Sequence, residues 1–265
     1  MRWRSAAGLG AVILLAVVLA ALLAPLSGYD LVTDVDPGRA HLGLSLAHPL
    51  GTDHLGRDVR WRLVFASRAF AGPGLLAAAV AGLLGTLGGA LGGYRGGPLA
   101  GSARYLYAVI GSIPRFVLVL LVGSVYGDSP WVLALVVGLS YAPALGEALH
   151  SRVASLRRAE FVRAGRAYGL SDARILWVHL VWYASRALIG RHLLAVFGYY
   201  VVLESTLAYI GGFGVQEPMP SWGNMLVFEW GRGQWLALLA PAAALWLVVS
   251  ATRWLADALE DPLDV

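Results

Sequence analysis

The sequence contains no cysteine and, from Met1 to Val265, no lysine. The first absence excludes disulfides, thiol catalysis and cysteine-ligated metals. The second excludes a phosphate-binding loop of the form G-x-x-x-x-G-K-[ST], whose lysine reaches the β/γ-phosphates. If ATP drives this chain, its nucleotide site lies on another. Charge is scarce as well: 14% of the 265 residues are ionised acids or bases, against about 25% in an ordinary soluble domain. Apolar residues make up 58%, and the mean hydropathy is +0.67. Such a chain has a bilayer for solvent, so spans rather than globular cores set its organisation. A net charge of +4 and a pI near 9.6 would suit nucleic acid, but the placement of the arginines fits membrane orientation instead.

A membrane-spanning helix needs about 20 mostly apolar residues. Runs of this kind extend over Ala6–Leu26, Phe70–Gly93, Tyr105–Tyr126, Pro130–Leu149, Ala187–Ile210 and Gln234–Thr252. They predict an all-α integral membrane protein with about six transmembrane helices. The first run follows Arg2 and Arg4, as a signal peptide would, but it exceeds the roughly 7–15 apolar residues of a signal sequence; it reads as a retained span. The chain then divides into residues 1–26 (tail and first span), an extracytoplasmic segment 27–69, a five-helix core 70–256 containing a cytoplasmic loop 150–182, and a C-terminal tail 257–265.

Short cytoplasmic loops are enriched in arginine. Arg2 and Arg4 precede span one, Arg95 and Arg104 flank the loop after span two, and Arg152, Arg157, Arg158, Arg163, Arg166, Arg174 and Arg186 lie between spans four and five. The opposite loops hold Asp128, Glu217, Glu229 and Arg232. Six spans put both termini in the cytoplasm.

Inside the spans, Gly85, Gly89 and Gly93 recur four apart, a spacing that lets helix backbones approach closely. It suits static packing, or a helix contact that moves along a pathway. Glu204 is an ionisable group at membrane depth. It either faces a pathway or locks neighbouring helices through a buried hydrogen bond. Arg115 follows Pro114, which can break span three and free a carbonyl; the arginine then lines a wet cavity or reaches an interface.

The segment from Leu156 to Asp172 carries the most information. Phe161, Ala164 and Tyr168 recur at i, i+3 and i+7, an apolar stripe. Gly169 follows where a helix would end in a left-handed turn, and Ser171 is placed to cap the next helix, starting at Asp172. Helix, glycine turn and helix would present a compact knob to a cytosolic partner; an arginine-rich loop that only sets topology is the other reading.

The run Glu160 to Gly169, continuing through Ile175, resembles the EAA loop of ABC-importer permeases. Glu160 stands for the family's glutamate, Ala164 and Gly165 for its small residues, Gly169 for its glycine and Ile175 for its hydrophobic residue. The family's proline would fall near Trp182 and is absent. His48-Pro49-Leu50-Gly51-Thr52-Asp53-His54-Leu55-Gly56-Arg57-Asp58 resembles the G-T-D-x-x-G-R-D signature of the dipeptide, oligopeptide and nickel permeases. Glu204 to Gly214, with Pro220-Ser221-Trp222-Gly223, resembles that branch's end of span five and its P-S-W-G loop. The order of signatures is similar to that of the second permease of the pair.

The resemblance implies a type I ABC-importer permease fold in a prokaryotic inner membrane. It implies a homologous second permease chain, two ATP-binding subunits or domains and an extracytoplasmic solute-binding protein as partners. ATP and magnesium would sit on the partner ATPases, and no cofactor on this chain. Transport of di- or oligopeptides, or a related small solute, would be coupled to ATP through Glu160, Phe161, Arg163, Ala164, Gly165, Arg166, Tyr168, Gly169, Ser171 and Asp172. Pro114, Glu204, Pro220, Ser221, Trp222 and Gly223 would serve the pathway or the structure. The P-S-W-G loop should face outward, its tryptophan at the membrane interface, either receiving the binding protein, capping the pathway or forming a re-entrant plug.

The competing class is an ion-gradient-driven secondary transporter, which predicts inverted repeats and broken helices; no inverted repeat stands out. A membrane-embedded hydrolase needs a catalytic cluster within the spans, and no two-histidine or Ser/Lys arrangement is there. His41, His48 and His54 fit no tight ligand spacing, so they read as loop histidines and no metal site is expected.

Overall fold

The computed structural model describes residues 2–126, 129–211, 213–230 and 235–259. Asp128, Arg232, the start of the last span at Gln234 and most of the tail 257–265 lie outside the described residues. Among those described, every regular element is helical: α1 (Arg2–Leu23), α2 (Val59–Ala66), α3 (Arg68–Arg95), α4 (Gly97–Ser112), α5 (Arg115–Tyr126), α6 (Pro130–Leu156), α7 (Glu160–Ala167), α8 (Asp172–Arg174), α9 (Ala184–Ile210), α10 (Trp222–Glu229) and α11 (Trp235–Ala258). Five helical stretches are long and apolar enough to cross a membrane, and the bent pair α4–α5 makes a sixth.

Three span boundaries differ from the hydropathy reading. Span three is not one helix: α4 and α5 meet at an angle of 74°. The break falls at Ile113-Pro114, where Ile113 is extended at φ −84°, ψ 123°. The ring of a proline pushes the preceding residue out of the helical region, so the break is local chemistry. Span four continues to Leu156 rather than ending at Leu149. Span five starts well before Ala187. From Asp172 the chain runs through a π-helical stretch, Ile175–Tyr183, into α9. That stretch occupies the position, near Trp182, where the family resemblance expects proline. The Ser185 hydroxyl donates to the Leu180 carbonyl at 2.7 Å, satisfying a backbone group in the π-helical stretch. The region 150–182 is therefore largely helix, with only residues 157–159 and 168–171 outside helices.

The glycine stripe of α3 is a packing seam. A Cβ on Gly85 would lie 2.8 Å from the Ala142 carbonyl oxygen, one on Gly89 2.5 Å from that of Gly146, and one on Gly93 2.6 Å from that of His150. Two four-residue periods, on α3 and α6, thus meet backbone to backbone. Tyr107 of α4 fills the adjoining gap and donates to the Leu84 carbonyl at 3.0 Å.

α1 lies antiparallel along α11, with Gly10 against Ala251. Its other face exposes Leu9, Val12, Leu15, Leu19 and Leu22, as a helix covered by lipid would. Leu259 reaches Gly190 near the start of α9, and Tyr94 at the end of α3 bonds Asp172. The start of α1, the end of α11, the α3–α4 turn and α7 therefore share one end. Residues 27–58, α2 and α10 share the other.

Candidate functional site

At the α7 end, the local structure follows the expected helix, turn and helix. Glu160 lies in the first turn of α7 and Arg166 in the last, each sign favourable to the helix dipole. Gly169 adopts φ 81°. The Leu170 amide donates back to the Gly165 carbonyl at 3.0 Å and that of Gly169 to Arg166 at 3.0 Å, the bonds of a left-handed helix stop. A Cβ at Gly169 would touch nothing within 4 Å, so glycine is needed for backbone conformation rather than space. The Ser171 hydroxyl then accepts the Arg174 amide at 3.3 Å, capping α8.

The apolar stripe of α7 points the opposite way from a core stripe. Phe161 is 47% exposed and Tyr168 87%, and Ala164 lies on the same open face. Val162 is the anchor instead, buried among Leu149, Val153, Ile175 and Leu176. Gly165 abuts Leu170 and Ile175. Arg166 is tied inward: its guanidinium donates to the Tyr94 hydroxyl at 3.0 Å and to Asp172 at 3.3 Å, and Tyr94 donates to Asp172 at 2.5 Å. Glu160 and Arg163 stand exposed beside the stripe. The result is a short helix seated on one side through Val162 and open, with aromatic and charged groups, on the other.

The opposite end is built from the G-T-D-x-x-G-R-D turn. Gly56, at φ 76°, passes so close to the Asp36 carbonyl that a Cβ would overlap it. Thr52 donates to the Arg39 carbonyl at 2.5 Å and accepts the Leu42 amide at 2.8 Å. One oxygen of Asp53 accepts the amides of Leu55 and Arg57, each at 2.9 Å. Its other oxygen meets Nε of Arg57 at 2.8 Å and of Arg62 at 3.1 Å. Asp58 caps α2 by accepting the Arg60 amide at 2.8 Å. Each polar residue of the motif thus either shapes the turn or aims a guanidinium.

Both guanidiniums converge on Glu217, ahead of α10. Arg57 Nη1 lies 2.6 Å from Glu217 Oε2, and Arg62 Nη2 lies 2.6 Å from Oε1. Two cations and two carboxylates make a formally neutral set, buried except at Glu217, which is partly exposed. Burial pushes the Glu217 carboxyl upward, but the hydrogen bonds and charges of Arg62 and Arg57 outweigh it and hold the group below its ordinary value. Burial likewise opposes the Arg57 cation, and Glu217 with Asp53 outweigh that, raising its pKa. In the sequence Asp53 and Arg57 stand out only as motif residues and Glu217 as a loop residue, and Arg62 does not stand out at all. The available signal was that charges flanking apolar spans need partners.

Pro220-Ser221-Trp222-Gly223 is buried, not displayed at an interface. Trp222 is 3% exposed, packs on Phe70 at 4.5 Å and donates to the Leu63 carbonyl at 3.1 Å. Ser221 and Asn224 cap α10 reciprocally at 3.2 and 2.9 Å. A Cβ on Gly223 would overlap the Ser205 carbonyl of α9. The loop is a plug wedged between α9 and the α2–α3 junction, because its only large side chain finds an aromatic pocket there. Glu204 lies directly beneath, fully buried, with the Ser205 hydroxyl 3.5 Å from Oε2 and no hydrogen-bond partner for Oε1 among the described residues. Pro114 sits at the α4–α5 break, and Arg115 beside it donates to the Ser140 carbonyl at 3.4 Å and covers the Tyr141 ring at 4.2 Å.

Two cavities flank these sites. One of about 770 Å³ opens between α1, α3, the start of α6 and residues 215–220. The other, about 470 Å³ and polar, lies between α3, α4 and α6 toward the α7 end, lined by Arg104, Tyr107, Glu147 and His150.

Residues 71–264 match the family model described as "Binding-protein-dependent transport system inner membrane component". The chain is 28% identical to the dipeptide transport system permease protein DppC of Alkalihalophilus pseudofirmus, over 96% of this chain and 84% of the relative. It is 30% identical to a putative peptide transport system permease protein of Brucella suis, over 97% and 86%. It is 27% identical to the glutathione transport system permease protein GsiD of Pectobacterium atrosepticum, over 100% and 88%.

Proposed function

This chain belongs to the family of binding-protein-dependent transport system inner membrane components and is a permease subunit of an ABC importer, and from that premise we propose that it carries short peptides inward, driven through α7 by ATPase subunits. The observation that carries the coupling step is the open face of α7. Phe161, Ala164 and Tyr168 are exposed while Val162 anchors the helix. A partner groove that takes up Phe161 and Tyr168 buries apolar surface worth roughly 25 cal/mol per Å². Glu160 and Arg163 supply polar contacts at its rim. Because Arg166, Tyr94 and Asp172 tie α7 to the ends of α3 and α8, motion of the docked helix passes to the spans.

Here α7 and both termini are cytoplasmic, and residues 27–58 with α10 face the binding protein; the arginines between spans four and five support this orientation. A homologous second permease completes the pathway. ATP and magnesium belong to the two ATP-binding partners, since no lysine is present to build a phosphate loop in this chain. The peptide class rests on the relatives named dipeptide, peptide and glutathione permeases. The polar cavity between α3, α4 and α6 agrees with it, presenting both Arg104 and Glu147 to a solute with a charge of each sign.

The test is uptake by proteoliposomes containing the whole complex and its binding protein. Dipeptide accumulation should require ATP and the cognate ATPases and survive collapse of ion gradients. Uptake that follows the ion gradient with ATP absent would restore the secondary-transport alternative.

A further inference from the structure

Arg115 is a cation at membrane depth with no acid beside it. The groups it touches, Ser140 and Tyr141, lie on α6, roughly 16 Å from the Pro130 end of that helix and roughly 23 Å from the Leu156 end at 1.5 Å per residue. Held there, its head does not snorkel to a headgroup layer. The side chain stands exposed, and no carboxylate pairs with it among the described residues. An ionised group so placed faces a wet cavity or waits for a ligand of opposite sign. The backbone points the same way. Ile113 and Pro114 lie outside α4 and α5 and are exposed, and non-helical backbone at this depth is tolerated only against protein or water.

We propose that Arg115 receives the C-terminal carboxylate of the peptide in transit and so determines specificity for a free carboxyl end, with Tyr141 and Tyr199 as positioning residues. This rests on the peptide reading of the transported solute. Cζ of Arg115 lies 4.2 Å over the centre of the Tyr141 ring. Tyr141 in turn packs on Tyr199 of α9, with ring centres 4.7 Å apart. Stacking fixes the plane of the guanidinium without neutralising it. Nε donates to the Ser140 carbonyl at 3.4 Å, a long bond. The Nη pair remains as a fork suited to two parallel bonds with a carboxylate.

The helix start favours the same sign of ligand. Arg115 opens α5, and the amides of Arg115, Phe116 and Val117 have no carbonyl partner among the described residues. Glu147 of the polar cavity lies six residues beyond Tyr141 on α6, toward the α7 end. A peptide moving inward therefore meets Arg115 before that cavity.

The experiment uses the assembled transporter, in nanodiscs for labelling and in proteoliposomes with its binding protein for uptake. Phenylglyoxal, which modifies arginines that water reaches, should label Arg115, as read by mass spectrometry. A dipeptide should slow that labelling, and the same dipeptide with its carboxyl end amidated should not. In uptake, Arg115→Gln should lower the rate for the dipeptide roughly tenfold or more, the worth of a charge-assisted pair, and Arg115→Lys should fall between. Tyr141→Leu should lower the same rate, and Tyr141→Phe, which keeps the ring, should restore it. Unlabelled Arg115, equal protection by dipeptide and amide, or undiminished dipeptide uptake by Arg115→Gln would each overturn the proposal. So would loss of the partner permease from the Arg115→Gln complex, which would place the guanidinium in a contact between permeases. Wild-type transporter that accumulates no dipeptide would refute the peptide reading and the proposal with it, whereas normal wild-type uptake with any of the preceding outcomes refutes the proposal alone.

Discussion

Arg57 and Glu217 are 160 residues apart in sequence and 2.6 Å apart in space. With Arg62 on the same carboxylate, this pair fastens the loop before α2 to the approach of α10, at the end of the bundle opposite α7.

Removing one guanidinium leaves Asp53 and Glu217 to share the other, so the set carries an uncompensated negative charge. Arg62→Ala should lower the stability of the purified protein by about 1.5–3 kcal/mol, the usual worth of hydrogen bonds to charged groups, since Arg57 stays on both carboxylates. Arg57 and Arg62 share Glu217, so their effects should not add. Thermal unfolding of the two single variants and the double variant measures the coupling. Strictly additive losses would mean that the guanidiniums act separately.

The same pair sets a response to acid. The folded-state pKa of Glu217 lies below its ordinary value, so the ionised carboxylate contributes stability that is fully present above the unfolded value of about 4.3. That contribution is lost as pH falls through the lower, folded value. Midpoints of unfolding recorded from pH 7 downward should hold to about pH 5 and then fall. Glu217→Gln should start lower and fall less steeply over the acidic range, and a parallel decline in both proteins would refute the assignment.

Gly169→Val tests coupling without disturbing the outer end. A side chain there meets no neighbour, so the cost is the left-handed backbone, roughly 1–2 kcal/mol, confined to the α7–α8 turn. The variant should insert, retain its partner permease and keep near-normal thermal stability. Its ATP-dependent uptake should fall to background, and its binding to the ATPase subunits should weaken in a pull-down. Undiminished uptake at equal abundance would remove Gly169 from the coupling path.

Glu204 is fully buried beneath the α10 plug and touches neither flanking cavity. Its position favours a helix-locking role over contact with solute. Glu204→Gln preserves shape and one acceptor, so uptake and the preference among dipeptides should remain within about twofold, which corresponds to under 1 kcal/mol. A changed preference between cationic and neutral dipeptides would return it to the pathway.

Several features were legible without coordinates because they depend on neighbours along the chain. Long apolar runs must be helices in a bilayer, since every backbone polar group has to be satisfied internally. That reasoning located the five long apolar helices and the bent pair α4–α5. Pro114 marked the break in span three, and Gly169 with Ser171 marked the turn after α7. The grouping of Phe161, Ala164 and Tyr168 on one helical face was legible as well. Helical spacing groups residues on one face, but it does not say whether that face meets the bundle or a partner; Val162 took the inner side.

What the sequence alone determined, then, was the solvent, the apolar helices long enough to cross it, the absence of a lysine-containing phosphate loop and the helix–turn–helix of residues 160–174. Only the tertiary structure decided that Arg57 and Arg62 close on Glu217, that Trp222 turns inward onto Phe70, and that Arg115 covers Tyr141. The physical reason is one of range. Hydropathy, capping and turn chemistry act within a few residues, whereas a buried charge is matched by whichever partner the packed helices bring within about 3–4 Å, and nothing local encodes that meeting.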